Sequence, residues 1–211
     1  ALWFLYLSLT TAGMTFLSFQ WDALLLETGF LAIFLAPWTI RPDIARALAP
    51  PRSILWLLRW LLFRLMFSSG LVKLASGDPS WRDLTALSVH YETQPLSTWI
   101  GWYAHQLPIY FQKISCSAMF VIEIAVPFLI FAPRRPRITA AYILISFQVV
   151  ILLTGNYAYF NWLTIVLCFT LFDDFHLQRF NRRQAIDAGN RKSLAVTFLH
   201  GAVVAVVLLL S

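Results

Sequence analysis

FSSGLVKLASGDPSWRDLTALSVHYETQ, residues 67–94, is the stretch on which the fold turns. It leaves a strongly apolar run through Ser68, Ser69 and Gly70, sets one lysine, Lys73, at the end of that run, and then becomes abruptly polar. On either side of this polar island the chain is greasy. Of its 211 residues 59% are hydrophobic and 12% charged, and the mean hydropathy is +0.70. A soluble domain carries roughly 45–50% apolar residues, so the composition predicts an integral membrane protein. Charge-poor runs close to the about 20 residues that a helix needs to cross roughly 30 Å of hydrocarbon recur along the chain. The alternating segments of an outer-membrane barrel are absent from the sequence.

Worked outward from the island, the runs predict spans near residues 54–74, 23–38 and 2–19 on one side, and near 109–131, 138–153, 162–172 and 194–210 on the other. Residues 75–108 form an extracytoplasmic cap between them. The predicted architecture is a single transmembrane domain over residues 1–211. It is an all-α integral membrane protein, a bundle of six to seven transmembrane helices with short interfacial helices on the extracytoplasmic side. Ala1 already lies inside an apolar run, which predicts a fragment of a longer chain and a span at this point, not a signal peptide.

The formal net charge of +6 does not indicate nucleic acid. A nucleic-acid patch gathers its cations on one solvated surface. Here they lie in short loops: Arg41, Arg46 and Arg52; Arg134, Arg135 and Arg137; then Arg179, Arg182, Arg183, Arg191 and Lys192. The alternate loops hold Arg82 and Lys113. By the positive-inside bias the first set is cytoplasmic, and the island, Asp22 and the turn at residues 155–161 face the other compartment. Cys116 and Cys168 fall inside predicted spans without paired spacing, which predicts neither a disulfide framework nor a dithiol site.

Within the cap, Asp78 followed by Pro79 is an N-cap with proline at the first helical position. Trp81, Leu84, Ser88 and Tyr91 recur at helical spacing and predict one amphipathic helix, ended by Pro95. A second short helix carries Trp99, Trp102 and Tyr103 on one face, as an element in the headgroup layer does.

Several residues are candidates for recognition or chemistry. An intramembrane carboxylate is costly unless paired or wet, which singles out Glu27 and Glu123. Glu27 lies about 7 Å along the helix from Asp22, near one interface. Lys73 ends its span on the same side, so a pair with Glu27 or Asp22 is expected, and a lysine so placed can serve as a base or bind an anion. The plainer account is a lysine snorkelling at the membrane boundary. His90, Glu92 and His105 share the cap, but their spacing matches no zinc pattern, so no metal is expected. Asn156 and Asn161 sit among Tyr157, Tyr159 and Trp162, where interfacial anchoring explains the rings. His176 reads as a helix-end residue and His200 as a bundle contact.

Residues 20–38 (QWDALLLETGFLAIFLAPW), 63–87 (FRLMFSSGLVKLASGDPSWRDLTAL), 90–96 (HYETQPL), 102–108 (WYAHQLP) and 155–164 (GNYAYFNWLT), ending with the FDD of residues 172–174, closely resemble the lipase maturation factor family. The resemblance runs in order along nearly the whole chain as far as Asp174. It implies a multi-pass membrane protein of the endoplasmic reticulum, with a chaperone-like role in which secreted lipases or other exported clients fold and assemble. It also implies a large soluble domain after the membrane part. The excess of arginine over lysine is that of a GC-rich bacterial genome, for which the corresponding place is the cell inner membrane. Under this reading there is no cofactor, the partners are the lipid bilayer and the client, and Asp22, Glu27, Asp78, Trp81, Arg82, His90, Tyr91, Glu92, His105, Asn156 and Asn161 are the client- or ligand-facing residues. The run Gly70, Lys73, Leu74 and Trp81 is also distantly similar to the membrane domain of vitamin K-dependent gamma-carboxylases. That likeness implies an alternative, a membrane enzyme acting on a lipid, quinone or peptide, with Lys73 as its catalytic base.

Overall fold

The computed structural model describes residues 1–36, 50–94 and 96–173. The predicted span at 194–210, the basic segment that precedes it with its His176, the loop 37–49 and Pro95 lie outside the described residues. Among the described residues every element is helical and none is a strand. Among the described residues three helical stretches are long and apolar enough to cross a membrane: Arg52–Ala75, Ile109–Phe131 and Arg134–Thr154. Leu2–Leu17 and Phe160–Leu171 are shorter apolar helices.

The chain divides into two compact units. The first holds α1 (Leu2–Gly13), α2 (Gln20–Leu35) and the start of α3 (Arg52–Ala75). The predicted continuous run over 2–19 is interrupted, because α1 stops at Gly13 and a 3-10 turn, Met14–Leu17, follows. α1 and α2 pack as an antiparallel hairpin. Trp3 Nε1 donates to Leu26 O at 2.8 Å, its ring lies against Phe30, and the Tyr6 hydroxyl donates to Asp22 Oδ1 at 2.5 Å. Asp22 stands in the first turn of α2, where the helix dipole favours an anion.

The second unit, residues 61–172, contains the rest of α3, α4 (Pro79–Arg82), α5 (Ala86–Thr93), α6 (Trp99–His105), α7 (Ile109–Ile124), α8 (Arg134–Thr154) and α9 (Phe160–Cys168). α8 is its hub, touching α6, α7, α9 and the 3-10 stretches Val126–Phe131 and Phe169–Leu171. Its inner face, Ala140, Ala141, Leu144 and Gln148, is fully enclosed, and the two alanines let neighbouring backbones approach, as small residues do between helices in lipid. Below the cap end, Phe63 and Phe67 of α3 meet Phe128 edge to face. α7 tightens into the Val126–Phe131 3-10 stretch at Pro127, which has no N–H to donate and whose ring crowds the carbonyl four residues back.

The cap differs from its prediction in one respect. The expected single helix over Trp81 to Tyr91 is two, because Leu84 takes a left-handed backbone (φ 59°) and breaks the chain between α4 and α5. Period alone hid this, since a positive φ leaves no mark in residue spacing. The Asp78 cap is formed, with Oδ1 accepting from Ser80 N at 2.9 Å and Pro79 opening the turn.

Candidate functional site

The site grows from the C-terminal turn of α3. Ser68 and Ser69 return their hydroxyls to the carbonyls of Arg64 and Leu65, so these small polar residues satisfy themselves within the helix. Gly70 is where α7 comes close. A Cβ at this position would lie 2.7 Å from Ile124 Cγ1 and 3.0 Å from Glu123 Cβ. One turn further on, Lys73 Nζ reaches both oxygens of Glu123, at 2.7 Å to Oε1 and 2.6 Å to Oε2. These are the lengths of charge-assisted hydrogen bonds. The Glu123 side chain is 6% exposed and that of Lys73 24%.

The expectation that Lys73 pairs with Glu27 or Asp22 is therefore corrected. Its carboxylate is Glu123, which a glycine-width gap between α3 and α7 brings into reach. The sequence marked Glu123 as an intramembrane carboxylate and Gly70 as a small residue, but sequence adjacency favoured the preceding helix over one that follows some fifty residues later. Lys73 Nζ also stands 5.7 Å from the centre of the Trp81 ring, within cation–π range. α4 thus closes over the ammonium with an aromatic face. Cys116, two turns before Glu123 on α7, is buried on the same face of that helix.

A second junction lies above the first. The His90 ring of α5 stacks on Tyr157 at an interplanar angle of 9°, and His90 Nε2 is 2.9 Å from the Tyr157 hydroxyl. Burial, and after it the positive charge of Lys73, holds the His90 imidazole below its ordinary value of 6.5. Burial raises Tyr91, against the effect of its hydrogen bond with Thr154, and burial followed by the neighbouring Tyr91 raises Tyr157. Both phenols stay protonated and neutral at physiological pH. Tyr157 sits in a tight turn where Asn156 Oδ1 accepts from Ala158 N at 3.3 Å and Ala158 adopts φ 49°.

The cap is fastened to the bundle by three side chains that the sequence did not single out. Thr98 Oγ1 donates to Leu153 O at 2.6 Å, Gln94 Nε2 donates to Thr154 O at 3.1 Å, and the buried Gln112 of α7 donates to Ala104 O at 2.5 Å. Gly101 packs so close to the Thr154 carbonyl that no Cβ fits there. Lone threonine and glutamine side chains carry no sequence pattern that announces such bonds.

Among the predicted site residues, Lys73, Trp81 and His90 converge on this corner, with Tyr91 beside Tyr157. Asp78, Arg82, Glu92 and Asn156 are exposed on its surface, and His105 is half-buried in the last turn of α6. Asn161 is buried, 1% exposed, in the first turn of α9. Asp22 is likewise buried, within the first unit. Glu27 is half-buried on α2. Among the described residues no group of three His, Cys, Asp or Glu side chains is arranged to hold a metal ion.

The arrangement can bind and position. Both oxygens of the buried Glu123 carboxylate engage Lys73. The carboxylase-like alternative accordingly gains no support from the geometry, and none comes from comparison with known proteins. The chain matches the family model described as lipase maturation factor transmembrane domain over residues 1–179. It is similar to lipase maturation factor 2 of Gallus gallus, at 56% identity over 180 residues covering 84% of this chain and 25% of that protein. It is 54% identical over 187 residues to lipase maturation factor 2 of Homo sapiens, covering 83% and 26%. To lipase maturation factor 1 of Mus musculus it is 43% identical over 175 residues, covering 82% and 30%. The chain spans about a quarter of the length of the first of these relatives. No solved structure matches it at a significant level. With its match over residues 1–179 and these identities, the chain belongs to the lipase maturation factor family.

Proposed function

We propose that this domain is the membrane-embedded part of a maturation factor that assists the folding and assembly of secreted lipases or other exported clients. The observation that carries the reading is the 56% identity to a protein named lipase maturation factor 2. Maturation by binding needs a surface held in fixed shape and no bond-making group. The cap, pinned to α8 by Thr98 and Gln94, supplies such a surface, and Asp78, Arg82, Glu92 and Asn156 form its polar client-facing rim. In this reading six or seven helices span the bilayer, the arginine-rich loops lie in the cytosol, and the cap faces the lumen of the endoplasmic reticulum.

A chimera tests it. The transmembrane part of a full-length lipase maturation factor is replaced by this chain and expressed, with a secreted lipase, in cells depleted of their own maturation factors. Restored secretion of active lipase is expected, and loss of that rescue when Arg82 and Glu92 are both reversed in charge. Equal lipase activity with and without the chimera, at matched chimera levels in the membrane, would sink the proposal.

A further inference from the structure

We propose that α6 is a membrane anchor, lying in the lipid interface of the leaflet opposite the Arg134–Arg135–Arg137 loop and fixing the height of the cap above the bilayer. Three independent observations carry this. The first is that the exposed side of α6 is aromatic and apolar, while Ala104 and His105 are half-buried. Its inward face is Gly101, and its outward face is Trp99, Ile100, Trp102 and Tyr103, with Trp99 89% exposed. A patch of this kind is not left in water, and indole and phenol rings are the groups that settle at the headgroup boundary.

The second observation is depth. Thr98 and Gln94 tie the start of α6 to the Leu153 and Thr154 carbonyls, the last turn of α8. From Ile138 to Thr154 α8 is free of charge and rises about 25 Å, close to the roughly 30 Å of a hydrocarbon core. With the three arginines of its first turn in one headgroup layer, its last turn reaches the other, and α6 is fastened at that level. The third is continuity. Beyond Pro108 the chain enters α7, part of a stretch long and apolar enough to span, and its first residues Ile109, Tyr110 and Phe111 are exposed. Only Gln106, Leu107 and Pro108, all exposed, separate the aromatic face of α6 from that exposed start of α7.

The chemistry of the face suits phospholipid. An open cleft of about 360 Å³ is lined by Ser97, Thr98, Trp99, Trp102 and Tyr103. The Ser97 and Tyr103 hydroxyls and the indole N–H groups among its lining residues match the ester carbonyl and phosphate oxygens of a lipid, and no carboxylate lines it to repel them.

Spin labels at Trp99→Cys and Glu92→Cys, each in a Cys116→Ala/Cys168→Ala background, test the placement in the whole chain reconstituted into phosphatidylcholine vesicles. The label at 99 should collide more with oxygen than with a water-soluble nickel chelate, and the label at 92 should do the reverse. The unlabelled protein gives a second reading. Lipids brominated near the ester end of the chain should quench its tryptophan emission more than lipids brominated near the chain terminus, and Trp99→Phe/Trp102→Phe should diminish that difference. A label at 99 that the nickel chelate reaches readily overturns the proposal. So does a label that neither reagent reaches, which would mean that protein covers the face.

Discussion

The two polar junctions of the second unit make an instructive pair. Lys73 and Glu123 join α3 to α7 through full charges in a largely dry setting, whereas His90 and Tyr157 join α5 to the turn after α8 through neutral groups. A charged pair of this kind adds little over a well-packed apolar contact but is expensive to break on one side, because the surviving ion is stranded. A neutral pair loses about one hydrogen bond when cut. The deeper junction therefore enforces geometry, and the upper one adjusts it.

The largest effect that would break this contrast is at the deeper junction. Lys73→Ala should destabilise the protein by about 3–5 kcal/mol by leaving the Glu123 carboxylate buried without its cation. The double variant Lys73→Met/Glu123→Leu should recover most of that loss. Thermal unfolding in detergent reads both, and a double variant as weak as the single one would mean the ions themselves hold the helices together. Next is Gly70→Ala, which pushes α7 away at Ile124 and should cost about 1–3 kcal/mol by overpacking. Crosslinking between cysteines flanking positions 70 and 124 would report the widened gap.

At the upper junction, Tyr157→Phe should cost about 1 kcal/mol at neutral pH. His90 also makes this junction sensitive to acid. Its folded-state value is depressed, so below the unfolded value of 6.5 the unfolded chain binds the proton more readily. The contribution of neutral His90 is present above 6.5 and is lost as pH falls through the lowered folded value. Between pH 7 and pH 5 the melting temperature of the wild type should therefore fall further than that of His90→Phe. Equal slopes would remove His90 from the account. The smallest effect is at Ala158, whose left-handed backbone glycine adopts without strain. Ala158→Gly should stabilise the turn by about 1 kcal/mol or less, provided the looser unfolded chain does not offset the gain.

Composition and run length were enough to read an all-helical membrane protein and to locate α3, α7 and α8, because spanning a bilayer imposes a length that is visible in one dimension. Asp78 and Pro79 likewise announced a helix start, since capping is local. What stayed hidden depends on backbone detail or on distance along the chain. Leu84 carries no mark of its left-handed turn, and nothing near Lys73 names Glu123 as its partner. Asn161 read as part of an interfacial aromatic belt, yet it lies buried in the first turn of α9, one position away from the exposed Trp162. A single step of about 100° around a helix decides that difference, and the flanking aromatics mask it.

The end of α8 has a consequence of its own. Helices ordinarily loosen from their last turn, where carbonyls have only water to turn to. Here Leu153 and Thr154 have their oxygens taken by Thr98 and Gln94, so the usual starting point for unzipping is stoppered. Amide exchange in this terminal turn should then be as slow as at mid-helix, and the lid of the molecule cannot peel off without undoing the pillar on which it stands.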